Sequence, residues 1–343
     1  MPKVSIIGLG LIGGSIGLAL KRVATPDVLV VGYDRDSRVA QRAKNAGAVK
    51  QEVQLLQQAV DGADLIIVAT PIVNMRVVFE EIAPYLKPGM IVTDTASTKT
   101  DVMSWARSIL PAGVHFVGGH PMAGKESSGP QAAEETLFDG RPYCIVPAVD
   151  ASGGAVRSVV GLASALGSQP FFLDAEEHDA YAAAISHLPL VSSLALFNLV
   201  QGSSSWPELA NMAGPAFRDL TRLASGSPEM SHDIFLTNRS NVLHWIERYI
   251  AELQRLSDMI SGDDSESLFR MLVETQMERD TFIMSPPQRE EAEASEIDIP
   301  TATESFLNSM AGTLWRQRAK DAVEGMEASV KEREREERLR RRI

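Results

Sequence analysis

Short, unbroken apolar runs alternate with amphipathic stretches through the first half of this chain. KVSIIGL (3–9), VLVVGYD (28–34), LIIVAT (65–70), MIVTDT (90–95), HFVGG (115–119), YCIVP (143–147) and PFFLD (170–174) are predicted strands. Between most of them, segments such as 13–22, 36–46 and 74–86 place apolar residues at helical spacing. Strands that are apolar on both faces and alternate with helices indicate a parallel sheet covered on both sides.

From Asp174 the pattern changes. DAEEHD offers Asp174 as a helix N-cap with Glu177 three residues on, a capping-box spacing. Long periodic segments follow at about 176–201, 208–225, 228–260 and 265–284, without a convincing strand. The expectation is an α/β domain over 1–173 followed by an all-α domain over 174–285. SPPQREEAEASEIDIP (285–300) has the composition of a linker. Beyond it, polar helices are predicted, ending in KEREREERLRRRI. Seven basic and four acidic residues between 331 and 342 (7 − 4 = +3) read there as a solvated face.

Composition narrows the function. The 343 residues suffice for two domains, and the net charge of −12 argues against a nucleic-acid partner. One cysteine excludes an internal disulfide, and no Cys/His cluster has zinc spacing, so no metal is expected. Cys144, in YCIVP, reads as a core residue, and a reducing, cytoplasmic location fits. Residues 4–20 are apolar but carry five glycines and no cleavage pattern, unlike a signal peptide. No other apolar run reaches about 18 residues, so no membrane span is expected.

Chemistry enters with GLGLIGGS. Gly8, Gly10 and Gly13 form a G-x-G-x-x-G between a predicted strand and helix, and a second strand ends in Asp34 about twenty residues on. In such a loop the first glycine permits a tight turn. The second lets backbone approach a pyrophosphate, and the third lets helix pack closely on strand. The helix N-terminus then faces the phosphates. This is the pattern of a Rossmann-type, doubly wound dinucleotide-binding domain. Asp34 would bind ribose hydroxyls and repel a 2′-phosphate, favouring NAD over NADP; Arg35 and Arg38 would soften that preference. Ile12, inside the loop, and Thr70, in VATPI (68–72), complete the expected cofactor-binding set. TDTASTK (93–99) also falls past a strand end, where Ser97 and Thr98 are placed to meet the nicotinamide. In VGGHPMAGKESSGP (117–130), His120 lies behind two glycines and before a proline, so it is expected in a loop, not in a regular element.

Six stretches, in order, resemble the prephenate/arogenate dehydrogenase family of tyrosine biosynthesis. They are GLGLIGGS, TDTASTK, GGHPMAGKESSG, LFDGRPYCIVP, SHLP (186–189) and FRDLTRLASGSPEMSHDIFLTN (217–238), and together they cover roughly 3–284. The resemblance implies NAD-dependent oxidative decarboxylation of prephenate to 4-hydroxyphenylpyruvate: hydride leaves ring carbon C4, its hydroxyl loses a proton, and the ring carboxylate departs as CO2. Arogenate, with an amine in place of the side-chain keto group, would give tyrosine the same way. His120 matches the family's catalytic histidine, and Ser97 the serine that bridges it to substrate hydroxyl and nicotinamide. Arg222 matches a carboxylate-binding arginine. His187 matches a second histidine associated with substrate, Arg218 a position that is basic in some members, and Glu126 an acidic residue present in part of the family.

Other readings of the residues remain. His187 also suits packing near a helix start, Arg218 and Arg222 are four apart and suit a solvated helix face, and His178 in EEHD suits fixing the helix start between the domains. His115, His232 and His244 carry no usable signal. A β-hydroxyacid-type dehydrogenase on the same plan would want a lysine where SHLPLVSS has none. A non-enzymatic NAD sensor would have no use for the His/Ser/Arg set. The resemblance further implies a homodimer through the helical domain, without nucleic acid or membrane. The 286–343 stretch is too short and charged for a regulatory βαββαβ domain, and the first strand at residue 3 leaves no room for a mutase extension.

Overall fold

The structure, a computed structural model, describes residues 2–23, 28–127 and 129–287. Most of the expected linker and the whole charged tail therefore lie outside the described residues.

Eight strands make one sheet. They are β1 (Lys3–Ile7), β2 (Leu29–Tyr33), β3 (Gln51–Glu52), β4 (Leu65–Val68), β5 (Ile91–Asp94), β6 (His115–Pro121), β7 (Pro142–Pro147) and β8 (Gln169–Phe172). Their order is β3-β2-β1-β4-β5-β6-β7-β8. The order reverses between β1 and β4, which opens a crevice at the C-terminal ends of the strands.

Helices cover both faces. Val4, Ile6, Leu65 and Ile67 pack with Ile16 and Ala19 of α1 (Leu11–Val23) and Val159 and Leu162 of α6 (Gly153–Ala165). Ile7, Ile66, Val68 and Val92 point the other way. They meet Met75 and Phe79 of α4 (Ile72–Ile82) and Val102 and Ala106 of α5 (Thr100–Ile109). The shorter α2 (Ser37–Asn45) and α3 (Leu56–Val60) complete the layers.

Two expectations are corrected here. The sheet is not wholly parallel, because β7 runs antiparallel to β6. A parallel return needs a crossover, usually a helix. Among its described residues the 122–141 connection contains only a short 3-10 turn, Pro130–Ala132, as regular helix, and the chain turns back beside the strand it has just left. Nor does His120 lie in a loop: it pairs with Cys144, and Pro121 with Tyr143. The backbone pairing with β5 ends at Val117, and beyond it β6 keeps its ladder with β7 alone, with Gly119 N held by the Asp94 carboxylate on the other side. A strand edge of that kind tolerates Pro121. The two-residue, polar β3 was not expected.

After β8 the chain is helical: α7 (Ala175–Ala182), a π-helical turn (Ala183–His187), α8 (Leu188–Gln201), α9 (Trp206–Met212), α10 (Pro215–Thr221), α11 (Pro228–Thr237), α12 (Arg239–Ser261) and α13 (Ser265–Met284). The Asp174 carboxylate accepts from Glu177 N at 2.7 Å, capping α7. The expected 228–260 helix is broken at Asn238, whose amide donates to the Asp179 carbonyl at 2.8 Å and to His187 Nδ1 at 3.2 Å.

The run Ala175–Gln201 is, by length and composition, apolar enough to cross a membrane, contrary to expectation. Its first turns are instead docked on the sheet domain, and only 22% of its most apolar window is buried. The two halves are also joined by Thr98 Oγ1 with Thr237 Oγ1 at 2.8 Å and by Val73 N donating to Asp233 at 3.1 Å.

Candidate active site

The glycine loop sits at the crevice. Gly8 has φ 92°, a left-handed conformation, and a Cβ there would lie 2.6 Å from the Ala69 carbonyl oxygen and 3.1 Å from Thr70 Cγ2. At Gly13 a Cβ would fall 1.9 Å from the Gly8 carbonyl oxygen. At Gly10, by contrast, nothing lies within 4 Å. Two glycines thus serve close packing, while the third leaves open space before the N-terminus of α1, the shape a pyrophosphate requires. Ile12 is half-buried in the first turn of α1, and Thr70 half-buried beyond β4.

Asp34, past β2, accepts from Leu9 N at 2.8 Å with one oxygen and from Asp36 N at 2.9 Å with the other. Each oxygen keeps a second lone pair for a ribose hydroxyl. Arg38 is engaged by Asp36, Nη2 to Oδ2 at 2.9 Å; Arg35 is exposed. These residues fit an adenine dinucleotide without a 2′-phosphate.

Past β5 the chain folds around a buried carboxylate. Asp94 accepts from Gly119 N at 3.0 Å and Ala96 N at 2.8 Å, and it pairs with the ammonium of Lys99, which is also fully buried. One side chain therefore fixes the residues preceding both His120 and Ser97. Ser97 is half-buried, and its hydroxyl has no hydrogen-bond partner among the described residues.

His120 is only 7% exposed. Its Nδ1 lies 2.8 Å from His178 Nε2, and His178 Nδ1 lies 2.8 Å from Asp179 Oδ1. Burial, then the neighbouring His178, Lys99 and His187, push the His120 pKa well below the usual imidazole range. His178 is lowered too, by burial, although its bond to Asp179 opposes this. For Asp179, burial favours the protonated acid, but hydrogen bonds from His178 and Thr100 outweigh it and leave the pKa below the ordinary value. The site holds neutral imidazoles beside an ionised carboxylate.

The expected substrate residues separate. Arg222, in the 3-10 turn after α10, forms an ion pair with Glu126 across the two halves. Arg218, in the last turn of α10, is exposed and has no ion pair among the described residues. His187 is wholly buried, and burial lowers its pKa to about 4. The shared helix face expected of the two arginines stops at Thr221, where α10 tightens.

Asp94, Lys99, His178 and Asp179 were not singled out by the sequence as parts of this site. The start of α7 is capped by Asp174, and the His178 side chain instead touches His120 and Asp179. The signals were Asp and Lys inside TDTASTK and the capping box that puts His178 and Asp179 at the start of α7.

Comparison with known families decides between dehydrogenase types sharing this plan. The nucleotide-binding domain of prephenate dehydrogenase matches residues 16–169, and the prephenate dehydrogenase dimerization domain matches 174–274. The prephenate dehydrogenase of Bacillus subtilis is 34% identical over 78% of this chain and 72% of its own.

The chain belongs to the prephenate dehydrogenase family.

A family member from Zymomonas mobilis, a cyclohexadienyl dehydrogenase, is 34% identical over 80% of this chain and 94% of its own. Prephenate dehydrogenase from A. aeolicus, solved in complex with hydroxyphenyl propionate and NAD+, is 28% identical with a TM-score of 0.76, covering 82% of this chain and 98% of that one. Membership makes this chain an NAD-dependent oxidoreductase.

Proposed function

We propose that this protein oxidatively decarboxylates prephenate, with His120 taking the proton of the C4 hydroxyl. One observation carries the residue assignment: a buried imidazole whose pKa is held down, so that it is neutral and ready to accept, next to a dinucleotide-binding crevice. Gly8, Gly10, Ile12, Gly13, Asp34 and Thr70 would hold NAD+, which would supply the hydride acceptor. Ser97 orients the hydroxyl between His120 and the nicotinamide. As the O–H proton passes to His120, the C4 hydride leaves. The ring carboxylate is then lost as CO2, its electron pair completes the aromatic ring, and the resulting phenolate oxygen takes the proton back from His120. Arg222 anchors a substrate carboxylate through its planar fork. His187 lines the inner wall, and Arg218, exposed nearby, has a supporting electrostatic role at most.

A second reading concerns arogenate, and the Glu126–Arg222 pair favours it. A side chain bearing both ammonium and carboxylate matches a carboxylate beside a guanidinium. A keto acid takes Arg222 and leaves Glu126 uncompensated. NADH formation with stoichiometric CO2 release, measured on both substrates, tests the proposal; folded protein inert on both would refute it.

The oligomer follows from the helical half. Leu199, Met212, Ile250, Leu253, Phe269 and Met277 are large apolar residues that the single chain leaves exposed. A second copy covers them, in keeping with the dimerization domain that this half matches, and the working protein is a cytoplasmic homodimer. A monomeric mass in light scattering at micromolar protein would contradict this.

A further inference from the structure

The Asp179–His178 pair bears on which ring nitrogen of His120 does the chemistry. The starting point is Asp179. Its Oδ1 accepts from Lys99 N at 2.7 Å, and its Oδ2 from Thr100 N at 2.9 Å. Main-chain N–H groups only donate, so both oxygens are acceptors, as an ionised carboxylate requires. His178 Nδ1, 2.8 Å from that same Oδ1, must then carry a proton and donate it. A neutral imidazole has one N–H, so His178 Nε2 is left with a lone pair. His120 Nδ1, 2.8 Å from His178 Nε2, is the donor in turn. The remaining nitrogen, His120 Nε2, has no proton and no hydrogen-bond partner among the described residues.

We propose that His178 and Asp179 are positioning residues that fix His120 in the Nδ1–H tautomer and so make Nε2 the atom that receives the substrate proton. This rests on the reading of His120 as proton acceptor. Without the pair, a neutral His120 would divide between two tautomers, and the Nε2–H form cannot accept. The pair also meets the charge that forms during the reaction. Once Nε2 takes the proton, the imidazolium still donates from Nδ1 to His178, with the Asp179 carboxylate behind it. The same carboxylate grips Lys99 N and Thr100 N at the start of α5, and Asn238 holds the Asp179 carbonyl at 2.8 Å. Helical half and sheet half are thus registered at the very residue that orients the relay.

Two substitutions separate positioning from bulk structure. In His178→Gln the amide oxygen can occupy the Nε2 place and accept from His120; in His178→Leu nothing can. We expect kcat to fall about 100-fold in H178L and within about tenfold in H178Q, with KM changed about twofold or less in both. The second measurement is 15N NMR of the histidine-labelled wild-type protein without substrate, with His120 assigned by its loss in H120N. It should show a pyrrole-type Nδ1 and a pyridine-type Nε2. A protonated Nε2 overturns the proposal, as does H178L turning over like wild type while H120N is inactive. If H120N itself retains full activity, the His120 reading fails first, whereas the tautomer spectrum still judges the relay by itself.

Discussion

The sheet half and the helical half of this protein are finished to different degrees. In the sheet half, Ile6, Leu65, Ile66 and Ile67 are completely buried between two helical layers, and the core closes on its own chain. In the helical half, α12 and α13 together bury one residue, Val242, and turn Ile250, Leu253, Phe269 and Met277 outward. The first half closes its own core and, in the proposed mechanism, carries the acid–base chemistry. The second leaves apolar surface for the proposed second copy to cover, and in the proposed mechanism it supplies the substrate anchor and the support behind His120. Under that proposal, catalysis is assembled from a scaffold with a closed core and one that waits for a second copy.

The largest effect that tests this division is chemical. His120→Asn, on the sheet half, should lower kcat by about 1,000-fold, with KM changed only a few-fold and an unaltered circular dichroism spectrum. A loss confined to KM would move the proton acceptor elsewhere. Next comes the contrast in packing. Ile67→Ala should destabilise the monomer fold by ~2–5 kcal/mol in urea titration. Leu253→Ala, at an exposed site, should change monomer stability by only about 0.5 kcal/mol but weaken dimerisation in sedimentation equilibrium. Equal effects on stability would erase the difference between the halves.

Acid provides the third test, at the seam between them. His187 is buried neutral with its pKa lowered to about 4, so below the ordinary imidazole value the unfolded chain binds the extra proton. The associated stability is complete above pH ~6.5 and is lost as pH falls towards 4, by roughly 3 kcal/mol for this group alone. His120 and His178 act in the same direction, as does Asp179, whose lowered pKa makes its contribution vanish at still lower pH. The group of charges facing His120 comprises Lys99 and Asp94 beyond β5, His178 and Asp179 on α7, and His187 before α8. With that set, the acid limb of kcat should lie below pH 6.5; a limb above it would contradict a neutral His120. The smallest effect concerns selectivity. Glu126→Gln removes the carboxylate beside Arg222, and should shift the ratio of kcat/KM for arogenate over prephenate severalfold towards prephenate.

The architecture was readable from the sequence wherever local chemistry dictates it. Apolar strands, a glycine loop and the Asp174 cap each follow from a few neighbouring residues. The pairing direction of β7 was not readable, because it depends on a connection that lacks a helix, and the two polar residues of β3 have no strand pattern to show. The site divides in the same way. His120, Ser97, Arg222 and Glu126 stand in distinctive motifs, and the structure joins the last two directly. The His178–His120 bond links residues 58 apart in sequence, and EEHD alone looks like an ordinary helix start. Lys99 was hidden by its type: a lysine is expected in solvent, and only the fold shows it buried against Asp94.

The reversed strand has a consequence for how such an enzyme can change. Because β7 returns beside β6, the segment from Met122 to Arg141 is clamped at its base, where Met122 N meets the Pro142 carbonyl at 2.9 Å and Pro121 faces Tyr143. Phe138, wholly buried, and Glu134, whose N donates to Ser15 Oγ at 2.9 Å, tie part of that segment to the sheet domain, whereas Glu126 can be changed without moving the register in which His120 is held. On the proposed reading, the proton acceptor is built into the frame, and the residue that addresses the substrate's side chain stands outside it. New substrates can therefore be explored by substitution at Glu126 while the register of His120 stays fixed.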